Sequence, residues 1–299
     1  MKTYISAIIG SGPAGLTAAI YLARAGLHSV IITGKEPGGQ LVRTDVVENY
    51  PGFESISGAD LMMSMLKQAE NLGTELIYED VINIENSFDI HLSSGNKIAA
   101  QSVVIATGAK HKRLGCVGEK EFENRGVSGC ATCDGPRYRG ETVAVVGGGN
   151  TAAMEASFLA KLAAKVLLIH RRDSLRADKI SQKRIFDNPK IEVLWNSEIV
   201  EISGSRSVEE IKVKNNKDGS NNLFKVAGVF IAIGTAPASE FVRNFVNRDS
   251  EGYIIACNTK TSKTGVFAAG DIVSGSLKQA VFAAGQGALA AKCVEEFVN

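Results

Sequence analysis

One arrangement occurs twice in this chain and constrains its fold more than any other feature. Residues 4–10 (YISAIIG) are a short apolar run ending in glycine, 14–25 (AGLTAAIYLARA) has helical periodicity stopped by Gly26, and Ser29 to Thr33 is a second apolar run. The same order returns at 142–172: TVAVVG, a glycine turn, TAAMEASFLAKLAA, then KVLLIHR. Each is a strand–helix–strand unit of a parallel sheet. Two such units in one chain imply two nucleotide ligands, or one working site beside a relic.

The glycines carry the chemistry. Gly10-Ser11-Gly12-Pro13-Ala14-Gly15 fits G-x-G-x-x-G directly after a strand and before a helix. The first glycine permits the turn, the second lets backbone approach a pyrophosphate, and the third lets helix meet sheet. The phosphates then rest on unpaired N–H groups of the helix start. A plain NAD site would carry an acidic ribose ligand near Thr33; none is there, although Glu36 is close. Gly147-Gly148-Gly149-Asn150-Thr151-Ala152 is the second fingerprint, with alanine in its third glycine slot. At the end of its following strand stand His170-Arg171-Arg172 and then Arg176, where guanidinium groups would pair the 2′-phosphate of NADPH.

Three further strands are expected at 102–108, 229–234 and 266–271, and a closing helix with a small-residue face at 279–297. Asn215 to Asn222 reads as a hairpin tip. Cys257 and Cys293 read as core fillers and His28 and His91 as surface or structural side chains. Met62, Met63 and Met65 read as core positions of a helix.

Cys130-Ala131-Thr132-Cys133-Asp134-Gly135 precedes the second unit. The spacing suits a redox dithiol, and also half a zinc site. Zinc needs four ligands, yet Cys116, Cys257 and Cys293 are single, and adding His111 fits no zinc spacing. Asp134 beside Cys133 supplies a proton-transfer group that a zinc site would not need, so disulfide exchange is the preferred reading. Charge is nearly balanced, with 33 basic and 32 acidic side chains, which leaves no nucleic-acid or membrane-surface footprint. No run of about 18 uncharged apolar residues exists. Five cysteines in 299 residues are not a secreted disulfide framework, so a reducing, cytoplasmic setting is expected.

Taken together, GSGPAG (10–15), GGQL (38–41), VENYPGF (47–53), ATGA (106–109), CATCDG (130–135), GGGNTA (147–152), HRRDSLR (170–176) and GVFAAGDI (265–272) resemble the low-molecular-weight thioredoxin reductases along nearly the whole chain. The resemblance implies an α/β protein of two Rossmann-like three-layer domains. An NADPH-binding domain at 113–239 carries the dithiol and is inserted into a discontinuous FAD-binding domain, 1–112 with 240–299. It implies FAD on the first fingerprint, lined also by Thr33, Gly39, Gln40, Leu41, Asn49, Ala106, Thr107, Gly108, Gly270, Asp271, Lys278, Gln279 and Ala280. It implies NADPH on the second, with Ile233 and Gly234 beside it.

Electrons would pass from NADPH through FAD to Cys130–Cys133 and on to thioredoxin. By the same resemblance Cys133 is nearer the flavin, Cys130 attacks the substrate disulfide, and the enzyme is a homodimer. The domains would rotate about connections near 110–116 and 234–240. The chain departs from the family's usual pattern at Lys278, Met154, Pro136 and Thr235 to Ser239, none of them in the dithiol or the fingerprints. Two other readings stay open: another disulfide acceptor on this scaffold, or a non-enzymatic redox sensor.

Overall fold

Runs such as Ala7 to Ile9 and Val143 to Val146 are apolar at every position because both faces of their sheets are covered. The computed structural model describes residues 2–44 and 46–299. Its helices are α1 (Pro13–Arg24), α2 (Gly58–Asn71), α3 (Ala131–Asp134), α4 (Asn150–Leu159), α5 (Lys179–Phe186) and α6 (Ala280–Val298). The chain forms two units, Met1–Lys110 with Ala236–Asn299, and His111–Thr235.

In the first unit the strands Glu75–Ile77, Ser29–Ile32, Thr3–Ile9 and Lys97–Ile105 lie side by side in parallel, and Val266–Ala268 also pairs with Lys97–Ile105. Asp89–Leu92 and Val81–Ile84 extend the sheet in antiparallel fashion. Alternation assigns the layers. Ile8, Ile31 and Val104 face α1, α2 and α6, whereas Ala7, Ile9, Val30 and Ile32 face the layer holding Ile84, Ile90, Val242 and Ile254.

The second unit is built likewise. Its parallel sheet runs Ile191–Leu194, Lys165–Ile169, Thr142–Val146, Gly228–Ile231, Val127–Ser128. Helices α4 and α5 cover one face through Val143, Val145, Ala153, Ala156 and Ile185. An antiparallel meander, Ser197–Gly204, Val208–Asn215 and Asn221–Lys225, covers the other through Ala144, Val146, Ile199, Ile202 and Ile211. Both units are three-layered Rossmann-like folds, and the chain crosses between them in Ala109–His111 and Thr235–Pro237, which pair as a two-stranded sheet.

Local differences from the sequence expectation have physical causes. Helix α4 stops at Leu159 rather than continuing to 164, because the Leu162 carbonyl accepts from the Gly140 N–H (3.0 Å) and turns the chain into the next strand. The strand expected at 266–271 ends at Ala268, just before Gly270 at φ +83°. The hairpin tip stands, closed by Asn215 N–H on the Ser220 carbonyl at 2.8 Å.

Cys257 is exposed in a bend paired with Lys260, so the core-filler expectation is wrong for it, while Cys293 is buried. Met62 and Met65 are core residues of α2, but Met63 lies on its outer face, 63% exposed. His28 stacks on Tyr4, and His91 pairs with Glu85 at 2.5 Å. Among the described residues no helix is long and apolar enough to cross a membrane.

Helices α1 and α6 touch where the closing helix is smallest. A Cβ on Gly287 would overlap the Ala14 backbone, and Ala283, Ala290 and Ala291 are buried along the same face. Gly287→Ala is therefore expected to cost about 2 kcal/mol or more, since the obstacle is backbone and cannot rotate away. Thermal unfolding of the variant beside wild type checks this, with Gly285→Ala, which meets nothing within 4 Å, as the matched control.

Candidate functional site

Both fingerprints are held by the same bonds. In the first unit the Gly10 N–H donates to the Ile32 carbonyl (2.9 Å) and the Ala106 N–H to the Ile9 carbonyl (2.8 Å). In the second, Gly147 donates to Ile169 (3.1 Å) and Ala232 to Val146 (2.8 Å). A Cβ on Gly10 would strike the Ala106 carbonyl oxygen, and one on Gly147 the Ala232 carbonyl oxygen. Gly12 and Gly149, the N-caps of α1 and α4, have no side-chain capping bond, and a Cβ on either would meet nothing within 4 Å. Each helix start thus opens onto space with its first backbone donors available, the arrangement that receives an anion.

Around the α1 start the first unit gathers several of the expected residues. A Cβ on Gly39 would sit 3.3 Å from Gly12 Cα, and one on Gly270 3.0 Å from Ala14 Cβ. Gln40 donates to the Ala109 carbonyl, Asn49 to Gln279 Oε1 (3.1 Å), and Thr107 to the Ala238 carbonyl (2.8 Å). Leu41 lies beside Gln40 on the same short helical turn, Gly39–Arg43, and Gly108 takes φ +70° after the strand end.

Two of the expected side chains turn inward. Ser11 Oγ accepts from the Gly38 N–H (2.9 Å) and donates to the Thr33 carbonyl (3.3 Å), while Thr33 Oγ1 donates to the Gly34 carbonyl (2.7 Å). They shape the wall beside the α1 start. Glu36 is spent on Arg43 at 3.1 Å. Burial holds the Asp271 carboxyl above the usual carboxylate range, offset by Lys278, whose ammonium contacts the Tyr253 hydroxyl (3.2 Å). Gln286, not singled out from the sequence, fixes Gly270 by accepting its N–H at 2.8 Å.

In the second unit the segment after Ile169 folds back over the glycine turn. Arg176 and Ala177 N–H groups both donate to the Gly148 carbonyl (2.6 and 3.1 Å), and Asn150 Oδ1 accepts from Asp178 N–H (2.8 Å). His170 is only 5% exposed. Its Nε2 bonds the Ser174 carbonyl (3.0 Å), and its ring lies where a Gly148 Cβ would be. Burial, with Arg176, Arg172 and Arg171 nearby, pulls its pKa down. His170 therefore buttresses the turn rather than offering a cation. Arg171, Arg172 and Arg176 are exposed, and among the described residues none is in an ion pair. Three uncommitted guanidinium groups suit a phosphate. Ile233 is half-buried, and Gly234 (φ +97°) accepts from Lys112 N–H at 3.0 Å.

Cys130 and Cys133 form a disulfide with Cα atoms 5.3 Å apart. Cys130 is the N-cap of α3, and its Sγ accepts from the Cys133 N–H (3.2 Å) and contacts Thr132 Oγ1 (3.3 Å). Ser128, also missed in the sequence, joins the parts. Its hydroxyl donates to Asp134 Oδ2 (2.6 Å) and accepts from the Cys130 N–H (3.0 Å), and Arg137 stands 3.9 Å from Asp134 Oδ1. The turn thus holds a disulfide, a carboxylate fixed beside it, and a sulfur that already receives backbone hydrogen bonding.

A family model described as pyridine nucleotide-disulphide oxidoreductase matches residues 5–287. A thioredoxin reductase of Rickettsia felis is 48% identical, covering 98% of this chain and 97% of the relative. Among solved structures, thioredoxin reductase from Giardia duodenalis superposes with TM-score 0.95 at 39% identity, covering 100% of this chain and 99% of that one. That of Streptococcus pyogenes gives 0.95 at 42%, covering 99% and 98%.

Ser128→Ala removes the hydroxyl that orients Asp134 and receives the Cys130 N–H. A lost hydrogen bond of about 1 kcal/mol corresponds to roughly fivefold slower exchange at Cys130–Cys133. Stopped-flow exchange of the protein, first reduced with dithiothreitol and freed of it, with a small aromatic disulfide checks this, and Ser128→Thr should recover most of the rate.

Proposed function

The chain belongs to the pyridine nucleotide-disulphide oxidoreductases, among the low-molecular-weight thioredoxin reductases, and we propose that it carries electrons from NADPH through FAD to Cys130–Cys133 and on to oxidised thioredoxin. The observation that carries this reading is the coexistence in one chain of two open fingerprint helices and a Cys-x-x-Cys disulfide with an anchored carboxylate.

The residues present fit both nucleotides. On the first unit the α1 start would take the pyrophosphate, and Asp271, whose burial disfavours its charge unless it accepts hydrogen bonds, would take ribityl hydroxyls. Gly39, Gln40, Asn49, Ala106, Lys278, Gln279 and Ala280 would complete the wall. On the second unit the α4 start, with Asn150, Thr151 and Ala152, would take the NADPH pyrophosphate, and Arg171, Arg172 and Arg176 its 2′-phosphate. When bound, the flavin supplies the two-electron relay between the nicotinamide and the disulfide.

The dithiol's own chemistry follows from its turn. After reduction, Cys130 Sγ is the better thiolate, because it is the acceptor of the Cys133 N–H at the N-cap of α3. It attacks one sulfur of the thioredoxin disulfide, giving a mixed disulfide and releasing a thiolate on the partner. Cys133 then attacks Cys130 Sγ, which restores the Cys130–Cys133 disulfide and leaves thioredoxin with two thiols. Two protons must reach thioredoxin's sulfurs. Asp134, held by Ser128 beside the pair, is placed to take the Cys133 proton as that sulfur becomes the nucleophile. From the family resemblance of its motifs we further propose a homodimeric assembly and a cytoplasmic setting. Light scattering on the purified holoenzyme reads the first.

Anaerobic addition of NADPH is expected to reduce the wild type beyond its flavin and to support thioredoxin turnover, with Cys133→Ser stopping at the flavin. If wild type reduces its dithiol but ignores thioredoxin, another disulfide is the acceptor. If NADPH leaves the flavin oxidised, the second nucleotide site is a relic. Separately, Arg172→Ala combined with Arg176→Ala should raise KM for NADPH about 10- to 100-fold while barely changing KM for NADH, since charge-assisted bonds to a phosphate are lost. Steady-state kinetics with both nucleotides checks it.

A further inference from the structure

The backbone donors of the dithiol turn are nearly all spoken for. Ser128 Oγ takes the Cys130 N–H (3.0 Å), Cys130 Sγ the Cys133 N–H (3.2 Å), and the Cys130 carbonyl the Asp134 N–H (3.1 Å). The N–H of Ala131, the first residue of α3, instead faces the carboxylate of Glu155. Glu155 projects from α4, the helix opened by the second fingerprint. Its neighbours Ala152, Ala156 and Leu159 share one apolar cluster with Ala131. The other carboxylate oxygen, Oε2, is buried and has no hydrogen-bond partner. Nothing in the reaction as described uses this group, and an apolar residue would fill its place at lower cost.

We propose that Glu155 is a positioning residue of the redox pair, holding the start of the dithiol turn against the fingerprint helix and setting the charge beneath Cys130 and Cys133. The proposal rests on those two cysteines being the redox pair. Burial pushes the Glu155 carboxyl up to about 7, with the Ala131 N–H offsetting part of the effect. No charged side chain contributes to that displacement. The charged groups on the dithiol turn, Asp134 and Arg137, are turned to Ser128 and to each other. On α4 itself Glu155 is the one ionisable residue.

The sign follows from the raised value. Below about pH 6 the carboxyl is protonated and neutral, and above about pH 8 it is an anion. A buried anion near the dithiol opposes formation of a second negative charge on sulfur and so raises the thiol pKa. Glu155 would then restrain the dithiol's nucleophilicity as pH climbs, and a neutral residue would release it.

The test reads the dithiol itself. Holoenzyme reduced with dithiothreitol and freed of it is pulsed with iodoacetamide across about pH 5.5 to 9, and alkylation at Cys130 and Cys133 is followed by mass spectrometry. Glu155→Gln keeps an oxygen acceptor without the charge, and Glu155→Met fills the volume with neither. All three proteins are expected to coincide below about pH 6, and both variants to label about three- to tenfold faster than wild type above about pH 8. Superimposable profiles would overturn the proposal. So would a Gln variant that follows wild type while only Met departs, because packing alone would then account for the residue. Failure of the thioredoxin reading would show separately, as absent turnover in wild type, and would leave this comparison intact.

Discussion

The structure turns on one close approach made twice: a glycine at the end of a central strand, packed against the carbonyl of the residue leaving the neighbouring strand. At Gly10 and at Gly147 any side chain would collide with backbone, of Ala106 and of Ala232 respectively. That contact lets the chain reverse from strand into helix within three residues. The helix start is thereby left uncapped by side chains and open above Gly12 and Gly149. Everything placed around the two sites, from Gly39 and Gly270 in one unit to the 171–178 segment in the other, is arranged about those two helix ends. The layers beneath them serve as support, with helices on one face and antiparallel strands on the other.

From a shared plan the two units diverge at the strand that follows the helix. In the first, that strand is followed by Thr33, whose hydroxyl is bonded to its own loop, and the nearby Glu36 pairs with Arg43. In the second it ends in three arginines above a buried histidine. On the proposed reading the distinction between ligands is therefore electrostatic and sits in a few residues, while the helix start, made of backbone, is built alike in both units. Backbone donors do not distinguish one dinucleotide from another; side chains at the strand end do.

What the sequence made legible follows the same division. Glycine spacing, apolar runs and the Cys-x-x-Cys pair are local, so both strand–helix–strand units, the closing helix and the dithiol could be read directly. Contacts between distant segments could not. Ser128 is six residues from Asp134 and lies on a separate strand end. Gln286 meets Gly270 only once α6 is docked, and Glu155 meets Ala131 only once α4 covers the dithiol turn. The direction of a side chain was equally hidden. Cys257 passes for a core residue by type but sits in an exposed bend. Thr33 and His170 are at the expected positions, yet their side chains point into protein because the carbonyls of Gly34 and Ser174 claim them.

His170 shows why such inward turns matter. The Ser174 carbonyl can only accept, so Nε2 carries the proton of a neutral ring. A second proton would place a positive charge under Gly148 among three arginines, without solvent to screen it, and the displacement of its pKa runs in that direction. Keeping the ring neutral lets the imidazole fill the space beneath the glycine turn. The positive potential stays on Arg171, Arg172 and Arg176, which are exposed and free to meet a dianion. Support and recognition are thus divided between adjacent residues of one short basic string, which the string by itself does not reveal.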